Sequence, residues 1–159
     1  TRLRTVTGVQ TCALPIYTEP VFSPDGRSVY FTSDRAGSPQ IYQVPSQGGE
    51  ARRVTFGSPY STSARVSPDG KLLAYITRRE GRYLVAVREL ASGNDTLVSE
   101  TGREEAPSFS PNGKWVMYAS RRGGRDALIA ASVDGKVRQQ LASLSGDMRE
   151  PAWGPLPSK

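Results

Sequence analysis

The residue types on which most protein catalysis depends are sparse in this chain of 159 residues. It contains no His, which excludes Ser-His-Asp triads, Cys-His dyads and His-based metal sites. Neither a Gly-x-Ser-x-Gly nucleophile elbow nor a phosphate-binding Gly-x-x-x-x-Gly-Lys-[Ser/Thr] loop occurs. The adjacent Glu104 and Glu105 leave a paired-carboxylate glycosidase site open, although a polar loop between repeats is the simpler interpretation. The sequence therefore predicts a non-enzymatic protein without a cofactor or a metal.

Basic residues exceed acidic ones, with 21 Lys and Arg against 15 Asp and Glu. Three arginine pairs, Arg52-Arg53, Arg78-Arg79 and Arg121-Arg122, contribute to this excess. Aromatic residues are not interleaved with these pairs as the stacking platforms of a nucleic-acid site would be, so we interpret them as solvated loop and edge-strand charges. No apolar stretch approaches the ~20 residues that cross a bilayer. We expect neither nucleic-acid binding nor direct membrane insertion.

A phrase that forms a tight turn recurs along the chain. Pro20-Val21-Phe22-Ser23-Pro24-Asp25-Gly26 returns at 64–70 and 107–113, and a clipped copy occupies 151–155. Equivalent positions are 44, 43 and 44 residues apart, which is typical of a repeat protein. In this turn Pro fixes φ, Asp bonds to the local backbone and Gly takes the left-handed conformation. We therefore interpret Asp25 and Asp69 as turn formers.

Each repeat contains further strand-sized segments bounded by turn residues. Second strands are predicted at 29–31, 72–76 and 115–118, third strands at 40–44, 83–90 and 127–133, and fourth strands at 51–55, 95–99 and 137–142. Gly48-Gly49 and Asp134-Gly135 predict two-residue hairpins. Four short antiparallel strands per repeat predict an all-β fold, a partial β-propeller of about three four-stranded blades plus one extra innermost strand. A β-sandwich does not repeat one phrase at a single interval.

The first sixteen residues fit none of the repeats. The run from Val6 to Ile16 resembles the read-through translation of a sequencing-library adaptor, so we interpret 1–16 as a non-native segment outside the fold, the alternative being a genuine N-terminal strand. The single Cys, Cys12, lies there. We expect the partial propeller to occupy 17–159, with blades at about 18–57, 58–101 and 102–145 and a final strand at 150–155.

Three runs carry a family resemblance that covers essentially 17–155. They are Thr18-Glu19-Pro20-Val21-Phe22-Ser23-Pro24-Asp25-Gly26 with the following Thr32-Ser33-Asp34-Arg35-Ala36-Gly37-Ser38-Pro39-Gln40-Ile41-Tyr42, and Glu150-Pro151-Ala152-Trp153 near the C-terminus. These runs resemble the C-terminal propeller of the TolB family, the periplasmic component of the Tol-Pal system. Ser-Pro-Asp-Gly turns alone occur in many propellers, whereas these longer runs are more specific.

The resemblance implies a six-bladed ring preceded by a smaller α/β domain, both truncated here. It implies the periplasm of a Gram-negative bacterium and a protein-binding role in outer-membrane integrity and constriction during cell division. The implied partners are the lipoprotein Pal, the inner-membrane protein TolA through the missing N-terminal domain, and colicins.

Candidate partner-binding residues follow from the order of strands in a propeller blade. Loops that enter the innermost strand and loops that join the second and third strands share one face, and loops on a rigid scaffold commonly bind partners. The residues expected on this face are Thr18, Glu19, Asp34, Arg35, Tyr60, Arg78, Glu105, Arg121 and Glu150. The family's partner site includes a Thr-Glu that Thr18 and Glu19 match. The second repeat has Ser63-Ala64 where Glu-Pro would stand, so an acidic ring is incomplete.

One alternative from another functional class stays open at this point. Prolyl-oligopeptidase-like serine hydrolases carry a propeller gate whose blades contain similar Ser-Pro-Asp-Gly turns. Such an enzyme would continue beyond Lys159 into an α/β-hydrolase domain with a nucleophile elbow. The chain ends just after an innermost strand, which fits the TolB family better.

Overall fold

The computed structural model describes residues 17–122, 124–144 and 151–154, and the proposed non-native segment 1–16 lies outside them. The described residues form twelve β-strands and no helix. The strands are β1 Tyr17–Phe22, β2 Ser28–Ser33, β3 Gln40–Pro45, β4 Arg52–Arg53, β5 Ser61–Val66, β6 Leu72–Arg79, β7 Arg82–Glu89, β8 Asp95–Leu97, β9 Glu104–Phe109, β10 Trp115–Arg122, β11 Arg125–Ser132 and β12 Arg138–Leu144.

The strands form three four-stranded antiparallel sheets, each in chain order. We call them blade 1 (β1–β4), blade 2 (β5–β8) and blade 3 (β9–β12). The predicted all-β fold with three blades of a propeller is confirmed. The fourth strand of the first repeat is shorter than predicted, because only Arg52 and Arg53 pair with β3.

Blade 2 lies between the other two blades, and its sequence explains why. Side chains alternate between the two faces of a strand, so a strand that is buried on both faces becomes a continuous apolar run. In β6, Leu73 and Tyr75 pack toward blade 1, where they meet Tyr30 and Ile41. Ala74 and Ile76 pack toward blade 3 in a second cluster. The two interfaces bury the cores that hold the arc of blades together.

The Ser-Pro-Asp-Gly phrase forms the turn between the first two strands of each blade. The Ser23 hydroxyl donates to the Asp25 carboxylate at 2.5 Å and accepts the Ser28 amide at 2.9 Å. The Gly26 amide donates to the Ser23 carbonyl at 2.9 Å, and Gly26 has a φ of 69°, which a residue without Cβ adopts at little cost. Blades 2 and 3 repeat the same bonds. We call the edge that carries these three turns the lower face.

The expected Asp134-Gly135 hairpin is closed by this same device. A two-residue type I′ turn requires positive φ at both central residues, but Gly135 alone of the two has it. The Ser132 hydroxyl instead donates to Asp134 at 2.5 Å and accepts the Val137 amide at 3.0 Å. The two-residue prediction was therefore wrong here, because the preceding Ser132 supplies the side chain of the longer turn.

The clipped fourth copy lies against blade 3. The indole N–H of Trp153 donates to the Ser108 carbonyl of β9 at 3.1 Å. Strand β9, the innermost strand of blade 3, therefore neighbours the residues that are equivalent to the innermost strand of the next repeat. Successive blades of a ring are neighbours in the same way.

Candidate functional site

The predicted partner-binding residues gather at the edge opposite the turns. The starts of the innermost strands pair with the ends of the second strands, as Thr18 does with Thr32 and Ser61 with Thr77. This edge, which we call the upper face, therefore carries both the strand starts and the hairpins between second and third strands. Thr18, Glu19, Asp34, Arg35, Tyr60, Arg78, Glu105 and Arg121 all belong to it. Glu150 lies outside the described residues.

Each innermost strand carries a β-bulge at the upper face. Glu19, Ser63 and Ala106 occupy the same position in the three blades and have φ values of 55°, 57° and 47°. The ladder register shifts at each of these points. A left-handed conformation costs a residue with a Cβ ~1 kcal/mol. Sequence reasoning missed this feature because none of the three positions is Gly.

The bulge allows Glu19 to bridge blades 1 and 2. One carboxylate oxygen accepts the Ser63 amide at 2.8 Å, and the other accepts the Ser63 hydroxyl at 2.9 Å. The Thr32 hydroxyl lies 3.4 Å from the same carboxylate. Glu19 is thus exposed, but its carboxylate is hydrogen-bonded. Its partner is Ser63, a residue that the sequence showed only as a departure from the repeat pattern.

The two adjacent carboxylates of β9 have separate environments. Glu104 is 3% exposed and accepts the amides of Thr101 and Gly102 at 3.0 and 2.9 Å, together with the Thr101 hydroxyl. Glu105 is exposed on the upper face. Glu104 therefore holds the loop between blades 2 and 3. The two residues themselves begin strand β9, so the polar loop expected at this pair was wrong, and the loop ends at Arg103.

Aromatic rings and arginines pack together at the top of blade 2. The rings of Tyr60 and Tyr83 meet edge to face, with centroids 5.3 Å apart and an interplanar angle of 81°. The guanidinium of Arg78 lies 5.7 Å from the Tyr83 centroid. On blade 1, Arg35 lies 4.7 Å from the Tyr42 centroid. These contacts are in the range of cation–π attraction, so the arginines hold rings in place as well as carrying charge.

A cavity of about 670 Å³ opens on the upper face between blades 2 and 3. Its lining includes Tyr60, Ser63, Arg103, Glu105, Ala106 and Arg121. Glu19 also reaches it from blade 1. The sequence placed several of these residues on the correct face but gave no sign that they enclose one cavity.

In the part of the chain that the structure describes, no three His, Cys, Asp or Glu side chains come together as metal ligands would. Nor does that part contain a helix with the length and apolar character that a membrane crossing requires. The arrangement at the upper face is suited to binding through hydrogen bonds, charge and aromatic contact.

Three sheets arranged as successive blades, with a loop-lined face at one end, define part of a β-propeller. The model of the TolB beta propeller domain matches residues 4–157. The chain belongs to this family.

Proteins that are similar to this chain are named TolB. The Tol-Pal system protein TolB of Bordetella pertussis is 52% identical over 141 residues, which cover 89% of this chain and 32% of that protein. The crystal structure of TolB from Acinetobacter baumannii superposes with a TM-score of 0.80 at 43% identity, covering 86% of this chain and 35% of that one. The chain therefore spans about a third of the length of the curated relatives it matches.

A peptidase also shares the fold. Pyrococcus horikoshii acylaminoacyl peptidase superposes with a TM-score of 0.62 over 82% of this chain and 25% of that one, at 12% identity. Identity this low shows the fold alone. The sequence similarity favours the TolB interpretation over the hydrolase gate.

Proposed function

We propose that this chain is part of a non-enzymatic, protein-binding propeller of the Tol-Pal system. It acts in the periplasm of a Gram-negative bacterium and binds the lipoprotein Pal through its upper face. In this role it supports outer-membrane integrity and constriction during cell division. Contact with TolA belongs to an N-terminal domain that the longer relatives would supply, and colicins would compete for the same face.

The observation that carries this proposal is the 52% identity to a Tol-Pal system protein over 89% of the chain. Within this chain, Thr18 and Glu19 match the Thr-Glu that the family resemblance implies for the partner site. Both residues lie on the upper face, as the proposal requires.

The physical character of the upper face supports a protein partner. Arg78, Arg121 and Glu105 are exposed there, so the face presents both signs of charge. Tyr83 is 37% exposed beside Tyr60, and large aromatic side chains on rigid strands give contact area at low entropic cost. Such a surface favours a partner with complementary charges around an apolar centre.

Titration calorimetry with the lipid-free periplasmic domain of Pal tests the proposal. We expect a saturable one-to-one complex. The double charge reversal Arg78→Glu with Arg121→Glu should weaken it by roughly tenfold or more, because like charges then face the complementary surface. Lys71→Glu with Lys114→Glu is the matched control, since both lysines are exposed on the lower face.

Two results would contradict the proposal. One is the lack of a complex both with this chain and with a full-length Bordetella pertussis TolB that carries residues 17–155 in place of its own. The other is an equal loss of affinity in the upper-face and lower-face variants, which would place the contact elsewhere.

A further inference from the structure

The joint between blades 1 and 2 shows how this backbone binds a carboxylate. The receptor is the amide of Ser63, which the left-handed bulge turns toward blade 1. The Ser63 hydroxyl completes it, so that both oxygens of Glu19 are bound. Charge-assisted bonds of this kind are stronger than those between neutral groups.

The joint between blades 2 and 3 has the same left-handed backbone conformation, but no carboxylate in the described part of the chain is bound to it. Ala106 stands where Ser63 stood and has the same left-handed φ. Ser63 in turn takes the position of Glu19, but its oxygen is two bonds closer to the backbone than a Glu oxygen. Within the described residues, no side chain is hydrogen-bonded to the Ala106 amide. Ala106 lines the cavity of about 670 Å³.

Two exposed arginines, Arg103 and Arg121, also line this cavity. Three of the carboxylates around it are already engaged, since Glu19 is bound by Ser63, Glu104 holds its own loop, and Asp126 lies 3.8 Å from Arg121. Glu105 is the remaining lining carboxylate. The four lining carboxylates outnumber the two guanidinium groups, and Arg121 is already paired with Asp126. An incoming carboxylate therefore depends on hydrogen bonds from the Ala106 amide and from Arg103.

We propose that this cavity is a carboxylate-binding subsite for an acidic group of a polypeptide partner. The Ala106 amide and the Arg103 guanidinium bind the group as the Ser63 amide and hydroxyl bind Glu19. The subsite deepens the proposed function, on which it rests for the nature of the partner. The shared chemistry is a carboxylate, supplied by an acidic side chain or by a chain terminus.

NMR titration of the ¹⁵N-labelled 159-residue chain tests the subsite without any partner protein. The probes are N-acetyl-glutamate N-methylamide for a side chain and N-acetyl-alanine for a terminus, with N-acetyl-glutamine N-methylamide as the neutral control. We expect a saturable shift of the Ala106 amide resonance with at least one of the two carboxylates and none with the neutral probe. The stronger of the two identifies the source.

A variant at Ser63 provides the decisive comparison. Ser63→Glu should reach the Ala106 amide as Glu19 reaches Ser63, and by filling the subsite should weaken probe binding by ~tenfold, the equivalent of one bond of about 1.4 kcal/mol. Lys114→Gln is the control, because Lys114 is exposed on the lower face, opposite the cavity. Its affinity should stay within about twofold of the original chain.

Substitutions of the charged lining give an independent readout should Ser63→Glu fail to fold. Arg103→Gln should weaken carboxylate binding about threefold, and Glu105→Gln should strengthen it by a similar factor, because it removes a like charge. Equal affinity for inorganic phosphate, an unshifted Ala106 resonance, or unchanged binding in both Ser63→Glu and Arg103→Gln would overturn the subsite. Loss of the Pal complex with probe binding intact would instead reject the proposed function.

Discussion

Serine hydroxyls in the lower-face turns act as donor and acceptor at once. Ser67 donates to Asp69 at 2.6 Å and accepts the Leu72 amide at 2.8 Å. The Asp69 carboxylate also accepts the Lys71 amide at 3.1 Å. These bonds from Ser67 and the backbone hold the pKa of Asp69 below its ordinary value of 3.8. The pKa values of Asp25 and Asp134 are lowered by the same two causes.

The lowered pKa values predict a loss of stability in acid. A carboxyl whose folded pKa is depressed stabilises the fold fully above its unfolded pKa, and this contribution is lost as pH falls through the folded pKa. The thermal midpoint should therefore fall between about pH 5 and about pH 2.5. Asp25→Asn with Asp69→Asn should reduce this fall while leaving the midpoint at pH 7 nearly unchanged, since Asn112 forms the same turn in blade 3.

Circular dichroism melts across this pH range measure the effect. Asp25→Ala with Asp69→Ala serves as the contrast, because it removes the acceptor as well as the charge and should lower the midpoint at pH 7. An acid slope in the Asn double variant equal to that of the original chain would show that other carboxylates dominate.

A buried ion pair ties together three strands of blade 2. One guanidinium nitrogen of Arg88 in β7 lies 2.9 and 2.7 Å from the two carboxylate oxygens of Asp95 in β8. The Tyr75 hydroxyl of β6 donates to the same carboxylate at 2.8 Å. Burial, reinforced by the negative charge of Asp95, raises the pKa of Tyr75, which keeps the phenol a donor. The polar cluster therefore fixes the register of β6, β7 and β8 at the interface with blade 1.

Breaking this pair should be costly. Asp95→Ala leaves Arg88 buried without a counter-charge, and we expect the free energy of unfolding to fall by about 3 kcal/mol. Glu80→Ala is the control, because it removes the exposed partner of Arg82 and should cost less than about 0.5 kcal/mol. Urea denaturation measures both, and similar costs in the two variants would mean that the buried cluster is not specially stabilising.

The strands differ from their sequence predictions mainly at the ends. The apolar run 72–76 predicted the first five residues of β6, but the strand continues through Thr77, Arg78 and Arg79 to the hairpin. Arg78 and Arg79 are exposed at the hairpin tip, and Thr77 is buried but polar, so none of the three extends the apolar pattern that predicts a strand. Glu80 and Gly81, both with positive φ, close this hairpin between Arg79 and Arg82.

The sequence predicted which face carries the candidate site, but not which of its residues are bonded to one another. The order of strands in each repeat put Glu19, Arg78 and Glu105 on one face, because hairpin geometry determines which ends meet. The bond from Glu19 to Ser63 depends on a left-handed residue that has no composition signature. The interval of 44 residues between the two positions was the available signal, since it makes them equivalent in adjacent blades.

At the scale of the whole molecule, the described blades form an arc in which each blade contacts only its neighbours in the sequence. Stability in such an array is the sum of the stabilities of each unit and of its contacts with neighbours. Blade 2 contributes to both buried clusters, whereas blades 1 and 3 each contribute to one of them. Resistance to local opening should therefore be highest in the middle of the arc.

Native-state hydrogen exchange followed by mass spectrometry tests this expectation. Peptides from β6 and β7 should retain deuterium protection longest, because their central residues are buried on both faces. Peptides from β2–β3 and β10–β11 should exchange earlier, and Asp95→Ala should reduce protection most strongly in blade 2. Slower exchange in either outer blade than in β6 and β7 would contradict this account of the array.

The bridge between Glu19 and Ser63 has a consequence for how anything can approach the rim of the arc. A carboxylate that approaches the Ser63 amide must displace Glu19. At the neighbouring joint, no side chain among the described residues is bonded to the Ala106 amide. The joint between blades 1 and 2 is therefore closed by the bonds from Ser63 to Glu19, and the equivalent joint between blades 2 and 3 has no such bond among the described residues. This difference breaks the equivalence of the two described joints, so a partner that carries a carboxylate would distinguish one from the other.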